Sequence, residues 1–458
     1  MAEAPLPKGL SGAENLPQTK TELLNCFYAE TPAGGVVLPR PGITQKGADF
    51  TNLARGSFKW NGGIYVVYGT ELYKVLDAEA GTFSLLGTIA GSSIIKAVPG
   101  FNDVVIMAKD TALYTLNKLD FLTDITTNLN FVPVTDVTHI DGHFIYIPTN
   151  GEPAFFSDVG AAGTVQALSF FDAEELPDLN NVTFEFSNTL FIGGQNSFEL
   201  FRSIVTTSAV PFQRISGARH RYGYIGGLLE YANSFLFLGR EKDQDFGFYA
   251  IAPGATEKIS NPFIDEILAG YAPEELRDCV SGRIKWRGYD LATFTLARHS
   301  FGYYKGEWFS LNTLVDGAPK PWLGGFITEY NGSYYTASKR KFGKFERVNT
   351  DFGERMAKHI LMGFKHPNGK RFSCQNLTLG ISQGFNDEVG TVGLFVSRDN
   401  KLYGPGLFRD LGALGQYGNK LTWNPAGGLG NYEGFMGFKI YTTGDVAFAA
   451  DSLYLNIR

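Results

Sequence analysis

Cysteine is scarce in this chain: Cys26, Cys279 and Cys374 are the only 3 in 458 residues. Their odd number and wide separation exclude a disulfide framework and fit folding in a reducing cytoplasm. Charge is also thin, 19% of residues against about a quarter in ordinary domains. The formal net charge of −6 argues against a chain built as a clamp on nucleic acid. Long apolar runs are missing; none nears the ~20 residues needed to cross a bilayer, and the first residues lack the apolar core of a secretory signal. A soluble chain without membrane insertion is expected.

Catalytic signatures are equally sparse. There is no HExxH, no nucleophile elbow and no P-loop. His139 and His143 stand four apart, a metal spacing on a helix, but Gly142 between them marks a turn. Ser397-Arg398-Asp399-Asn400-Lys401-Leu402-Tyr403 approximates the Asp box of propeller glycosidases once, without its Gly and Trp. The carboxylate pairs Asp243/Asp245 and Glu274/Glu275 read as solvated loop and helix surface. No cofactor, metal or catalytic residue is assigned, and a non-enzyme is expected.

What the chain has in quantity is glycine, 55 residues, and aromatics at 14%, the composition of strands joined by tight turns. One phrase recurs: a turn with Asn, Asp or Gly, an apolar aromatic-rich run, a second turn and another run. It begins at Asn61-Gly62, Asn102, Asp141-Gly142, Asn188, Asn233, Arg287-Gly288 and Asn331-Gly332, at intervals of roughly 40–50 residues, the spacing of propeller blades. Ile64–Tyr68 with Leu72–Val75, Thr189–Ile192 with Phe198–Phe201, and Phe235–Leu238 with Phe246–Ile251 each read as the inner hairpin of a four-stranded blade. A lone hairpin is marginal in water, so such units bury their faces on one another, and a closed ring removes exposed edges.

The expected fold is mainly β: a β-propeller of about seven blades with a helical insertion and a C-terminal β-sandwich-like domain. Residues 1–22, punctuated by Pro5, Pro7 and Pro17, read as an irregular N-terminal arm ordered only by something outside itself. Residues 23–350 form the propeller. The insertion at about 260–280 opens with Asn261 or Ser260 as N-cap, Pro262 in the first helical position and Phe263, Ile264, Ile267 and Leu268 on one face. Residues 351–458 form the sandwich-like domain, with strands near Ser373–Ile381, Val392–Val396, Gly437–Thr442 and Ser452–Ile457.

Two basic clusters interleave with aromatics. Arg214, Arg219 and Arg221 precede Tyr222 and Tyr224; Lys339, Arg340 and Lys341 precede Phe342. Such mixtures contact phosphates and bases, or else they form charged hairpin tips in solvent or at a protein interface. These six residues are the candidate binding residues.

Several phrases, in their order along the chain, resemble the packaged-DNA stabilisation proteins of short-tailed bacteriophages of the lederbergvirus group, also called tail hub or tail accessory proteins. They are Asn25-Cys26-Phe27-Tyr28-Ala29 with Arg40-Pro41-Gly42-Ile43-Thr44, then Gly69-Thr70-Glu71-Leu72-Tyr73-Lys74 and Ser197-Phe198-Glu199-Leu200-Phe201. Ile264-Asp265-Glu266-Ile267, Tyr271-Ala272-Pro273-Glu274-Glu275, Ala297-Arg298-His299 and Leu453-Tyr454-Leu455-Asn456-Ile457-Arg458 follow. The resemblance implies a structural virion protein without catalytic residues. Six copies would form a homohexameric ring below the portal and its adaptor. That ring would extend the DNA channel, retain the packaged genome, hold the tail needle and dock tailspikes or other receptor-binding proteins. DNA would pass through at genome ejection without sequence-specific binding, and the chain would reside in the host cytoplasm before assembly. A carbohydrate-binding or glycan-cleaving propeller is the alternative; it predicts a central pocket lined by carboxylates and aromatics.

Overall fold

The computed structural model describes residues 2–13, 16–32, 34–172, 178–204, 210–242, 244–383, 390–416, 421–443 and 448–458. Four antiparallel strands, Ala54–Trp60, Gly63–Tyr68, Glu71–Asp77 and Thr82–Thr88, make the first blade. Four further four-stranded sheets follow in order over 95–124, 134–171, 182–220 and 222–258. A sixth, over 280–315, pairs Val280–Trp286, Tyr289–Thr295, Ser300–Tyr304 and Glu307–Val315. The seventh is completed from the other end of the chain. Phe326–Tyr330, Ser333–Ser338 and Lys341–Glu346 supply three strands, and Gly42–Gln45 adds the fourth with Phe345 opposite Ile43. The ring is thereby latched by two segments about 300 residues apart.

The recurrent phrase has a backbone cause. Its turn joins the first strand of a blade to the second, and both central residues take positive φ at Asn61/Gly62, Asp141/Gly142, Ser187/Asn188, Arg287/Gly288 and Asn331/Gly332. This is the two-residue hairpin geometry that Asn, Asp and Gly tolerate. The two apolar runs after it are the second and third strands of each blade rather than an inner hairpin. Gly63–Tyr68 is buried throughout, because central strands meet neighbouring blades on both faces and so read as unbroken apolar runs. The innermost strand faces the axis and the outermost faces solvent, so both carry mixed patterns. That mixture is why they were faint in the sequence.

Each seam between blades has its own apolar cluster. Tyr65, Val67, Val104 and Ile106 close the first seam. Phe184, Phe191 and Phe198 meet Phe237 and Tyr249 between blades four and five, with Phe184 and Phe191 stacked at 4.7 Å. Ile64, Val66 and Tyr68 meet Tyr335 and Phe342 where blade one returns to blade seven. Full burial of one such aromatic contributes about 1.5–3 kcal/mol.

Helix α1 (Pro262–Ala269) starts on Asn261, whose side chain accepts from the Ile264 amide at 3.0 Å. With α2 (Pro273–Arg277) it seats Ile264, Leu268 and Leu276 in the seam between blades five and six.

The domain boundaries differ from the sequence reading. Residues 1–22 are not an irregular arm: Leu16–Leu24 runs antiparallel to Lys358–Lys365, with Leu23 opposite Ile360. Cys26–Thr31 and Gly34–Pro39, assigned to the propeller, pair with each other and reach Ala450–Ile457 through Val37 and Ala450. Two sheets, each built from both chain ends, thus face each other across Phe27, Leu377, Leu455, Ile360, Phe438 and Leu394. The Lys358–Lys365 partner of Leu16–Leu24 lies more than 300 residues away, so no local pattern could announce that pairing.

Candidate functional site

Three places combine polar groups with structural precision: the propeller axis, the junction between ring and sandwich, and the basic loops.

The axis holds a cavity of about 250 Å³ lined by Lys96, Asp136, Asn181, Tyr224, Ser281 and Phe326, with Lys109 and Arg277 also on its wall. Asp136 joins three blades. Its Oδ1 accepts from Lys96 Nζ of blade two at 2.7 Å, and its Oδ2 accepts from the Thr183 amide of blade four at 2.7 Å. Further links cross the seams: Asn181 Nδ2 to the Tyr224 carbonyl at 3.2 Å, Ser281 Oγ to the Leu228 carbonyl at 2.8 Å, and Ser57 to Thr328 at 2.7 Å. Among the described residues Asp136 is the one carboxylate on the wall, and both its oxygens are engaged, so it is not free for acid–base work. The carboxylate-lined pocket that a glycan enzyme requires is not what surrounds this axis; the wall is cationic. Cys279 also lines it, with its thiol pushed up to about 12 by burial, which removes thiolate reactivity.

The junction is the densest polar network. Arg40 grips Asp351 with two bonds, Nη1 to Oδ1 at 2.8 Å and Nη2 to Oδ2 at 2.6 Å, with both residues buried. Arg40 Nε donates to Asn25 Oδ1 at 2.9 Å, and its guanidinium lies 5.0 Å from the Trp322 ring. Thr313 Oγ1 donates to Asp351 at 2.6 Å. Asn25, held at φ 54°, donates to the carbonyls of Asn312 at 3.0 Å and Ala357 at 2.6 Å. N-terminal segment, sixth blade and post-propeller strand meet here, and burial makes every bond count because an unmade one leaves an orphaned charge. The sequence showed the phrases around Asn25 and Arg40, but not their partners.

The basic loops are not one site. Arg214 lies on the outer strand of blade four and is spent internally, 2.8 Å from Glu199 and 5.6 Å from the Phe201 ring. The Arg219 side chain lies outside the described residues, and Arg221 is exposed in the step to blade five. Lys339 and Arg340 form the exposed turn of blade seven, and Lys341 sits 5.9 Å from the Phe352 ring. Their backbone does structural work: the Arg340 carbonyl accepts from the Phe50 amide at 2.7 Å, and the Lys341 carbonyl from Tyr68 Oη at 2.7 Å. Two blades separate the clusters on the shorter way round the ring.

The histidine pair cannot share a metal. His139 and His143 occupy adjacent strands and point to opposite faces of blade three, His139 towards Phe101 and Phe144, His143 towards Phe156 and Phe212. Among the described residues no cluster of His, Cys, Asp or Glu has ligand geometry. Asp399 Oδ1 accepts from the amides of Lys401 and Leu402, both at 2.9 Å. These two bonds, with one from Ser397, hold its carboxyl below the usual range. The stretch is an Asx-type turn in the sandwich and no part of a blade. Asp243 lies outside the described residues. Glu275 caps α2 through the Ala272 amide at 3.0 Å. No helix among the described residues is long and apolar enough to cross a membrane.

A ring of four-stranded sheets, linked across its axis and latched by its own N-terminal segment, defines a β-propeller protein. Residues 13–343 match the family model for the phage-stabilisation proteins, described as bacteriophage P22 Gp10, beta-propeller. The chain belongs to this family, whose proteins are phage structural components that stabilise packaged DNA. No curated protein matches it. Solved structures similar to it include a streptogramin B lyase, at 12% identity over 66% of this chain and 96% of the other with a TM-score of 0.44. BamB from Moraxella catarrhalis is 13% identical over 72% and 97%, TM-score 0.39. The WD40 propeller domain of Doa1 is 12% identical over 67% and 97%, TM-score 0.40.

Proposed function

We propose that this protein is a non-enzymatic tail hub of a short-tailed phage. Six copies close a ring beneath the portal and adaptor, continue the DNA channel, help retain the packaged genome, hold a needle and dock receptor-binding spikes. The family match over residues 13–343 carries the reading. The geometry agrees with it: the axial groups Lys96, Asp136, Asn181 and Ser281 are engaged in links between blades, and among the described residues the one axial carboxylate is occupied on both oxygens. Such a body transmits load and offers surfaces. The test is genome retention. Particles assembled without this chain are expected to lose packaged DNA to external nuclease, and adding the purified chain is expected to restore protection. Particles equally protected without it would overturn the hub reading, as would turnover of a glycan by the lone chain.

A further inference from the structure

The described part of the ring is lopsided in what it exposes. Leu76, Phe101, Leu119, Phe121, Val159 and Leu168 are each between 62% and 76% exposed. All lie at one end of blades one to three, where first strand turns into second and third into fourth, or in the last residues before that end. Parts of this rim adjoin across the seams. Asn61 Nδ2 of blade one donates to the Lys118 carbonyl of blade two at 3.0 Å. A Cβ placed on Gly142 of blade three would meet Val159 Cγ1 at 3.0 Å and Phe101 Cε2 at 3.2 Å. Blades four to seven expose fewer such side chains among the described residues: Leu179, on the approach to blade four, is 57% exposed, while blade one also exposes Leu53 and Leu85 away from this end. The same turns in blades four to seven carry Asn188, Asn233, Arg287 and Asn331.

A second bare region lies on the sandwich. Leu402, Phe408 and Leu414 are between 56% and 81% exposed, Phe408 on the strand Leu407–Asp410 and the other two in the segments before and after it. Among the described residues the strand's ladder partner is Thr391–Ser397, and Leu421–Trp423 lies against it through Trp423 Nε1 to the Leu407 carbonyl at 2.7 Å and Arg409 Nε to the Thr422 carbonyl at 3.2 Å. The sandwich is built onto blades six and seven. The charges of the two bare regions are complementary. Asp77, Asp141 and Asp158 outnumber Lys118 on the rim, whereas Arg398, Lys401 and Arg409 outnumber Asp399 and Asp410 beside the edge. Apolar patches of this kind mark interaction surfaces, and two different complementary patches on one chain make a heterologous, head-to-tail contact, which closes into a ring when the rotation allows.

We infer that the blade one-to-three rim of one copy seats the Leu402–Leu414 edge of the next. The inference rests on the ring reading above and assigns its interface.

Mixing two defective copies tests it. Phe101→Asp/Leu119→Asp spoils only the rim, and Phe408→Asp spoils only the edge; all three positions are exposed, so each variant is expected to melt like the parent. In sedimentation velocity, on the portal–adaptor complex and alone, each variant is expected to assemble at least ~100-fold more weakly than the parent, as for a hot-spot loss. Mixed one to one, the two variants are expected to form capped dimers and no rings, because one sound edge meets one sound rim. Rings from either variant alone, or no dimers in the mixture while the parent forms rings, would overturn the interface and leave the ring reading standing. A parent that stays monomeric in both settings would overturn both, and loss of binding only to a different protein would make that protein the occupant.

Discussion

Blades one to three and blades six and seven solve opposite problems at the same ring. At blades six and seven, the outer parts disappear beneath a domain built from both chain ends. The contact there is fixed by the buried Arg40–Asp351 pair and the Asn25 bonds. By contrast, blades one to three leave Phe101, Leu119 and Phe121 in water. Where the chain covers itself, the Arg40–Asp351 charges are buried and paired; where it leaves a rim bare, the rim is apolar. The contrast separates residues that hold the fold from residues available to another molecule, and it does so without reference to where positive charge clusters in the sequence.

Breaking the covered side is expected to have the largest effect. Asp351→Ala strands the buried Arg40 guanidinium and is expected to cost about 3–5 kcal/mol, read in urea unfolding. Arg40→Leu/Asp351→Leu, which removes both charges, is expected to cost less than the single change. If Asp351→Ala unfolds at the parental midpoint, the junction does not hold the two parts together.

Acid is expected to act next. Burial lowers the proton affinity of His139, His220 and His299; His143 lowers it further for His139, as does Arg298 for His299. Below the ordinary histidine value the unfolded chain takes up protons that the folded chain refuses. Stability from these groups is therefore present above about pH 6.5 and lost as pH falls from there towards the folded values. The melting temperature is expected to drop between pH 7 and pH 5, and His139→Phe is expected to flatten that slope. A slope unchanged in the variant would remove His139 from the account.

The smallest effect is expected at the basic turn. Its carbonyls, not its charges, dock the chain entering blade one, so Lys339→Ser/Arg340→Ser is expected to shift stability by less than about 0.5 kcal/mol. A loss well beyond that would mean the side chains carry structural weight.

Much of the ring was legible because central strands are buried on both faces and their turns demand positive φ. Gly63–Tyr68 and Asn61-Gly62 could hardly read otherwise. Helix α1 was equally plain, since Asn261-Pro262 is a cap with its first helical residue. The sandwich was only half legible. Leu16–Leu24 carries Pro17 and charged residues, and its partner strand lies more than 300 residues away. The basic residues were visible, but composition could not tell that Arg214 is paired with Glu199. The rim had a signal that went unread: Phe101 and Leu119 are large apolar residues within turns, where polar ones are the rule.

Electron microscopy of the purified chain added to a portal–adaptor complex tests the central claim most directly. The account predicts an added six-fold ring that continues the portal channel, with each sandwich edge seated on the blade one-to-three rim of its neighbour. An unoccupied adaptor at saturating protein, or copies bound singly without touching one another, would contradict it.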